Sequence, residues 1–348
     1  MRILTIGGAT IDVIASVADT EIERLTMHNA TSSFLMLEEG AKLDAEMISS
    51  HSGGGAVNSA ICMARQGFPV KTLIKLGQDH EADMVLSSLR DEGVDASAAL
   101  QSTEHPTGKA VIISSHSHNP AIIVNRGANS HLSKDEIDSS LFEAIDLVYI
   151  TGLSNDSARC FAKIVRIAKE KGAVVAANPG IRQLTYRGGA FIRALPWVDI
   201  LALNTAEAAQ LSAALAIESH DGKLRNKTDP ETDPELLSYG LPVAGRLVDL
   251  QHYADRLHKI GPACVIVTNG AEGAYICENS NIQFTPSLKT EVKGTTGAGD
   301  TFVSTFVAQK TAGLPSSKAA ALAAKNAASV VSYPDTQSGL LTRAQLGL

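Results

Sequence analysis

The chain has 348 residues, 44% of them hydrophobic, enough for a large core built as one big α/β unit or two smaller ones. Its net charge of −7, with Lys and Arg scattered rather than bunched, argues against nucleic acid or an anionic membrane as the main partner. No apolar run is long enough to span a bilayer and no signal-type segment opens the chain, so a cytoplasmic protein with a small polar ligand is expected.

Residues 2–8 read as a buried first strand closed by Gly7-Gly8, with Asp12 just beyond it. Between 12 and 52 the pattern consists of short alternating pieces, at 13–17 and 33–37, without long helical periodicity, which predicts a small appended sheet. Gly53-Gly54-Gly55 then leads into a helix over 56–66, whose Val57, Ala60, Ile61 and Ala64 share one face and which Gly67 and Pro69 stop. A strand over 70–76 and an amphipathic helix over 80–92 follow, and the runs 109–114 and 121–125 alternate around a polar loop as a hairpin of the same small sheet.

From 133 onward strand and helix signals alternate: a helix over 133–143, a strand over 147–151, a helix over 157–171 and a strand over 173–177. The alternation continues with a strand over 200–203, a helix from 205 and a strand over 264–268. Residues 218–242, rich in Asp, Lys, Asn, Pro and Gly, read as a surface insertion. A strand ending at 290–293, a glycine-rich turn, a helix from 301 and an Ala-rich helix over 316–331 containing Asn326 complete the chain. Repeated β-α units imply a mainly parallel sheet covered by helices on both faces.

The chemistry is expected at Gly294-Thr-Thr-Gly-Ala-Gly-Asp300-Thr-Phe302. Glycines at 297 and 299 leave peptide N–H groups open at the start of a helix, where unpaired donors and the helix dipole favour an anion. A carboxylate beside an anion hole is repelled unless it has a task of its own, and taking a proton from an attacking hydroxyl is such a task. Asp300 as base, with a phosphoryl group held over Gly297 to Gly299, is a phosphoryl-transfer arrangement. The plainer reading is a helix cap and a tight turn. No Gly-x-x-x-x-Gly-Lys-Ser/Thr run exists, and the third glycine of a Gly-x-Gly-x-x-Gly reading of Gly297 is Phe302.

In a parallel sheet, ligands gather where the strands end. Asp12, Asn58, Asn178, Asn204 with Glu207, the run Thr268-Asn-Gly270-Ala-Glu-Gly273 and Asp300 all fall at such ends. Cys62, Cys160, Cys264 and Cys277 are too far apart for a Cys-x-x-Cys site and read as buried thiols. His116-Ser-His118 places two imidazoles on one strand face but lacks further ligands for a metal.

Gly53-Gly-Gly-Ala-Val-Asn58-Ser-Ala and Thr295-Thr-Gly-Ala-Gly-Asp300-Thr-Phe resemble the two signature motifs of the ribokinase-like (PfkB) carbohydrate kinases, and Gly127-Ala-Asn129, Asn204-Thr-Ala-Glu207 and Val267-Thr-Asn-Gly270-Ala-Glu-Gly273 resemble further family elements. The resemblance implies a single ribokinase-like domain over 1–348, with a β-sheet lid formed by about 12–52 and 105–126, that phosphorylates a hydroxymethyl group using ATP and Mg²⁺. By motif position, Asp300 corresponds to the base and Gly297, Ala298 and Gly299 to the anion hole. Asp12, Gly54, Gly55 and Asn58 correspond to the substrate grip, and Asn204 and Glu207 to residues that hold phosphate and Mg²⁺ through water. Thr268, Gly270 and Gly273 correspond to nucleotide contacts, and Asn326 lies on the helix that lines the adenine pocket.

The chain departs from ribokinases at Thr10 and Gly55, where these often have Asn and Lys, and at Gly294, where cation-dependent members often have Asp. With aromatics at 4% and Phe34 the one aromatic side chain of the lid region, a sugar or sugar-like polyol is favoured over a nucleoside as acceptor. A catalytically silent relative that only binds a metabolite is the alternative from a different class. Pairing of lid edges predicts a homodimer.

Overall fold

The computed structural model describes residues 1–17, 23–26, 33–40, 42–114, 120–217 and 233–348. Its main sheet has eight strands in the order Asn281–Pro286, Gly273–Glu278, Cys264–Thr268, Ile200–Asn204, Val174–Ala177, Leu147–Ile150, Ile3–Ile6 and Val70–Leu73. From Cys264–Thr268 to Val70–Leu73 every pairing is parallel, and the two remaining strands are antiparallel.

The period of two along a strand divides the core. Leu4, Ile6, Val148, Ile150, Leu201 and Leu203 point to one face, where the helices Phe161–Glu170, Ile181–Ala194, Thr205–Ala214 and Leu250–Ile260 cover them. Ile3, Leu147, Tyr149, Ile200 and Ile266 point to the other, under Gly55–Arg65, His80–Asp91, Ala298–Thr311 and Ser316–Val330. Burial on both faces explains why Ile3–Ile6 and Leu147–Ile150 read as near-continuous apolar runs. Among the described residues no helix is long and apolar enough to cross a membrane. The four cysteines are buried and free.

A smaller four-stranded sheet, in the order Ala121–Asn125, Gly108–Ser114, Thr10–Val17 and Ala45–Gly53, grows directly out of the main one, because Thr10–Val17 follows Ile3–Ile6 after a short turn. The 109–114 and 121–125 hairpin and the 13–17 strand are therefore in one sheet, as their alternation predicts.

Several elements differ from expectation. No α-helix spans 133–143; a turn of 3-10 helix, Ser139–Phe142, stands there, because the buried Leu132, Ile137 and Phe142 recur every five residues and share no helical face. The strand over 70–76 divides at Ile74: Val70–Leu73 joins the main sheet and Lys75–Gly77 pairs with Leu100–Ser102. The last strand ends at Pro286, not at 290–293, and the loop after it is pinned by the amides of Lys293 and Gly294, both donating to Val331 O at 2.7 and 3.2 Å. Of the stretch read as an insertion, 218–232 lies outside the described residues, while 233–242 carries Leu236 and Leu241 buried in the core. His116 and His118 also lie outside the described residues.

Candidate active site

The triple glycine brings two backbones together. Gly54 has φ +91°, and a Cβ there would lie 2.6 Å from Gly8 O and 2.8 Å from Ala9 Cα, so only glycine fits between the first helix and the turn after the first strand. The amide of Ala56 donates to Gly8 O at 3.1 Å across this contact. Asp12, on the strand Thr10–Val17, lays its carboxylate over Gly53, where a Cβ would sit 2.0 Å from Oδ2. Thr10, one of the departures from the ribokinase pattern, donates its hydroxyl to Asp12 Oδ1 at 2.8 Å. Burial raises the pKa of Asp12, opposed by that hydrogen bond and by His51. Asn129 clasps the same corner, accepting from Ala9 N at 2.9 Å and donating to Ala9 O at 2.6 Å.

Asn58 faces the other motif. Its Nδ2 donates to Asp300 Oδ2 at 3.4 Å, and its Oδ1 accepts from Thr336 Oγ1 at 2.9 Å and Gln337 Nε2 at 3.2 Å. These acceptances fix which end of the amide points at Asp300. Gln337 is itself held by Ser52 O at 2.7 Å, so two C-terminal residues that no sequence pattern singled out buttress the first motif.

Gly297 takes the left-handed conformation, φ +82°, immediately before the helix Ala298–Thr311, and a Cβ on it would meet Thr336 Cβ at 2.8 Å. The turn thus aims the first amides of that helix outward, where they have no partner within it. Asp300, half-buried in the first turn, has its pKa raised by burial and by Asp12 against the opposing hydrogen bond from Asn58.

Next to this turn opens a cavity of about 450 Å³, lined by Asn204, Thr268, Gly270, Gly273, Ala298 and Gly299 among the anticipated residues. Its apolar wall comes from Ala324, Ala327, Ala328 and Val331 at the end of the Ala-rich helix. Asn326 is not part of that wall. It is fully buried on the opposite side, donating to Thr305 Oγ1 at 2.9 Å and accepting from Leu341 N at 2.8 Å, because one residue along a helix turns the side chain by about 100°. Asn178 ties neighbouring strand ends, donating to Ala202 O at 3.0 Å.

Asn204 and Glu207 form a reciprocal cap on the helix Thr205–Ala214, each side chain accepting the other's amide at 2.9 Å. Burial, reinforced by Asp300, pushes Glu207 up to about 7, against the opposing bonds from Asn204. A carboxyl whose pKa is higher in the folded than in the unfolded chain favours folding at low pH, and that stability is lost as pH rises through about 7. Glu207→Gln, which keeps an acceptor for Asn204 N, is therefore expected to flatten the fall of the melting temperature between about pH 5 and 8. An unchanged slope would contradict it. Among the described residues no group of three or more His, Cys, Asp or Glu is placed to hold a metal directly.

Residues 15–343 match the family model described as pfkB family carbohydrate kinase. The chain is 27% identical over 84% of its length to a bifunctional ribokinase/ribose-5-phosphate isomerase A of Fructilactobacillus sanfranciscensis, and it spans 48% of that relative's length. It is 25% identical to a ribokinase of Staphylococcus aureus over 78% of this chain and 79% of that one. The crystal structure of Arabidopsis thaliana ribokinase complexed with ribose and ATP has the same fold, with a TM-score of 0.72 over 99% of this chain and 97% of that one at 20% identity. Family members and these ribokinases are ATP-dependent carbohydrate kinases. With the family model covering nearly its whole length, the chain belongs to the pfkB family of carbohydrate kinases.

Proposed function

We propose that the protein transfers the γ-phosphoryl group of ATP to a hydroxymethyl group of a sugar or sugar-like polyol. The observation that carries this reading is the position of Asp300: it stands at the amide-lined start of a helix, between the 450 Å³ cavity and the Asp12–Asn58 cluster. One side of it suits a donor and the other an acceptor.

In this reading Asp12, Gly54, Gly55 and Asn58 grip acceptor hydroxyls, and Asp300 takes the proton of the one that attacks. Its raised pKa makes it a better base than an ordinary surface carboxylate, while Asn58 holds its orientation. The amides of Gly297, Ala298 and Gly299, with the helix dipole behind them, hold the negative charge of the transferred group.

ATP fits the chain's own residues. The cavity offers an apolar slot against Ala324 and Ala327 for a base and backbone at Thr268, Gly270 and Gly273 for the rest of the nucleotide, and a Cβ on Gly270 or Gly299 would meet nothing within 4 Å, so nothing blocks the approach. Mg²⁺ fits too, because the charge of Asp300 adds to burial in raising the proton affinity of Glu207, and a cation would relieve it. Asn204 and Glu207 would hold it through water, and when bound it supplies neutralisation of the phosphates.

The small sheet acts as a lid that excludes water. Its apolar side chains Ile48, Ile122 and Ile123 are 68%, 49% and 64% exposed, which supports pairing of two lids in a homodimer. Light scattering is expected to return twice the chain mass, and a monomer mass would contradict the pairing.

The function is tested by ATP-dependent turnover against sugars, polyols and nucleosides with Mg²⁺. Phosphorylation of a sugar or polyol is the expected result. Turnover of nucleosides alone would replace the sugar by a nucleoside, and binding of a metabolite with no turnover across the panel would favour a silent binder.

A further inference from the structure

Two arginines at the rim of the site have no part in the chemistry above. Arg126 follows the last strand of the small sheet, and its Nη1 donates to Ser154 Oγ at 3.0 Å, just past the end of Leu147–Ile150. Arg182 lies in the first turn of Ile181–Ala194, just past the end of the neighbouring strand Val174–Ala177. The two loops are locked together: Leu153 N donates to Gln183 Oε1 at 3.0 Å, and a Cβ on Gly152 would lie 2.9 Å from Gly180 N. The two arginines are thereby brought near enough for the charge of Arg182 to be felt at Arg126.

Neither forms an ion pair with a described residue. Arg126 is half-buried, and burial and then the like charge of Arg182 lower its pKa. A half-buried cation facing a second cation is unfavourable until an anion stands between them. Asn129, three residues after Arg126, clasps Ala9, three residues before Asp12, so Arg126 stands on the acceptor's side of Asp300. The donor cavity is lined instead from Ile200–Asn204 and the strands beyond it.

The geometry points to an acceptor that carries an oxyanion, a carboxylate or a phosphate, at the end remote from the reacting hydroxymethyl, held by Arg126 and Arg182. This deepens the kinase reading and rests on it. Guanidinium is suited to the task, because its planar fork matches the two oxygens of either group. Asp12 and Asp300 repel a negative charge elsewhere in the pocket, which orients the acceptor with its anion toward the arginines.

The test compares kcat/KM for matched acceptors: aldonates against alditols, and sugar monophosphates against free sugars of the same carbon skeleton. The charged members are expected to be preferred by about tenfold or more, and that preference is expected to be largely lost in Arg126→Gln and in Arg182→Gln, through a rise of about tenfold or more in KM for the charged acceptor. Arg182 is exposed, so its variant keeps the test valid should Arg126→Gln fail to fold. Whether aldonates or phosphates gain decides the source of the oxyanion.

Equal use of charged and neutral acceptors by the unaltered protein would overturn the proposal. So would variants that raise KM for ATP and leave the acceptor preference intact, since the guanidiniums would then serve the donor. Equilibrium binding of the same acids without ATP separates the two readings. Acid binding that disappears in the arginine variants, with no turnover of any acceptor, would retain the anion site and remove the kinase. Turnover of neutral sugars with no acid binding would do the reverse.

Discussion

Asp300→Asn is expected to lower acceptor-dependent ADP formation by on the order of 10² or more at neutral pH. The substitution keeps the size and planarity of the group, and the contact at 3.4 Å from Asn58 Nδ2 can be kept by an amide oxygen, so the site retains its shape while losing its base. Binding of ATP in the 450 Å³ cavity should change little, because Asp300 is not among the residues that line it. The effect therefore belongs in kcat, and a steady-state comparison of kcat and both KM values checks it. Turnover within a few-fold of the unaltered protein would remove Asp300 as base.

The second large effect is on stability. Gly54→Ala is expected to destabilise the fold by roughly 2–5 kcal/mol, from a left-handed backbone at φ +91° that L-residues rarely adopt and from a Cβ placed 2.6 Å from Gly8 O, where the obstacle is backbone and cannot swing away. By contrast, Gly299→Ala meets nothing within 4 Å, and its unfolding midpoint should lie within about 0.5 kcal/mol of the unaltered protein. Denaturant titration of the two variants side by side is the check. Equal stability of both would mean that the contact between the triple glycine and the Gly8 turn does not define the site.

The parts of this molecule legible in its sequence are those set by local pattern. Parallel strands buried on both faces, such as Ile3–Ile6, write themselves as apolar runs, and glycines before helices mark the two places where backbone must approach a ligand or another backbone. The helix Ile181–Ala194 was hidden because Gly188-Gly189 follow a break at Arg187, φ −133° and ψ 17°, which interrupts the helical period.

Thr336 and Gln337 were hidden for another reason. They reach Asn58 across sequence separations of 278 and 279 residues, and a lone Thr or Gln in a loop carries no periodic signal. Thr10 differs from the ribokinase pattern, yet its hydroxyl orients Asp12, so the departure replaces one polar group by another. Asn326 shows what a helical position alone leaves open: only the side-chain directions around the Ala-rich helix reveal that Ala324, Ala327 and Ala328 line the cavity while Asn326 bonds to Thr305.

The most direct measurement is the product itself: purified protein, Mg²⁺, ATP and a candidate polyol, with acceptor and nucleotide followed together by mass spectrometry. The account predicts an acceptor heavier by one phosphoryl group, formed in equal amount to ADP and absent when the acceptor is left out. ADP released at the same rate with and without acceptor, and no phosphorylated acceptor, would contradict it.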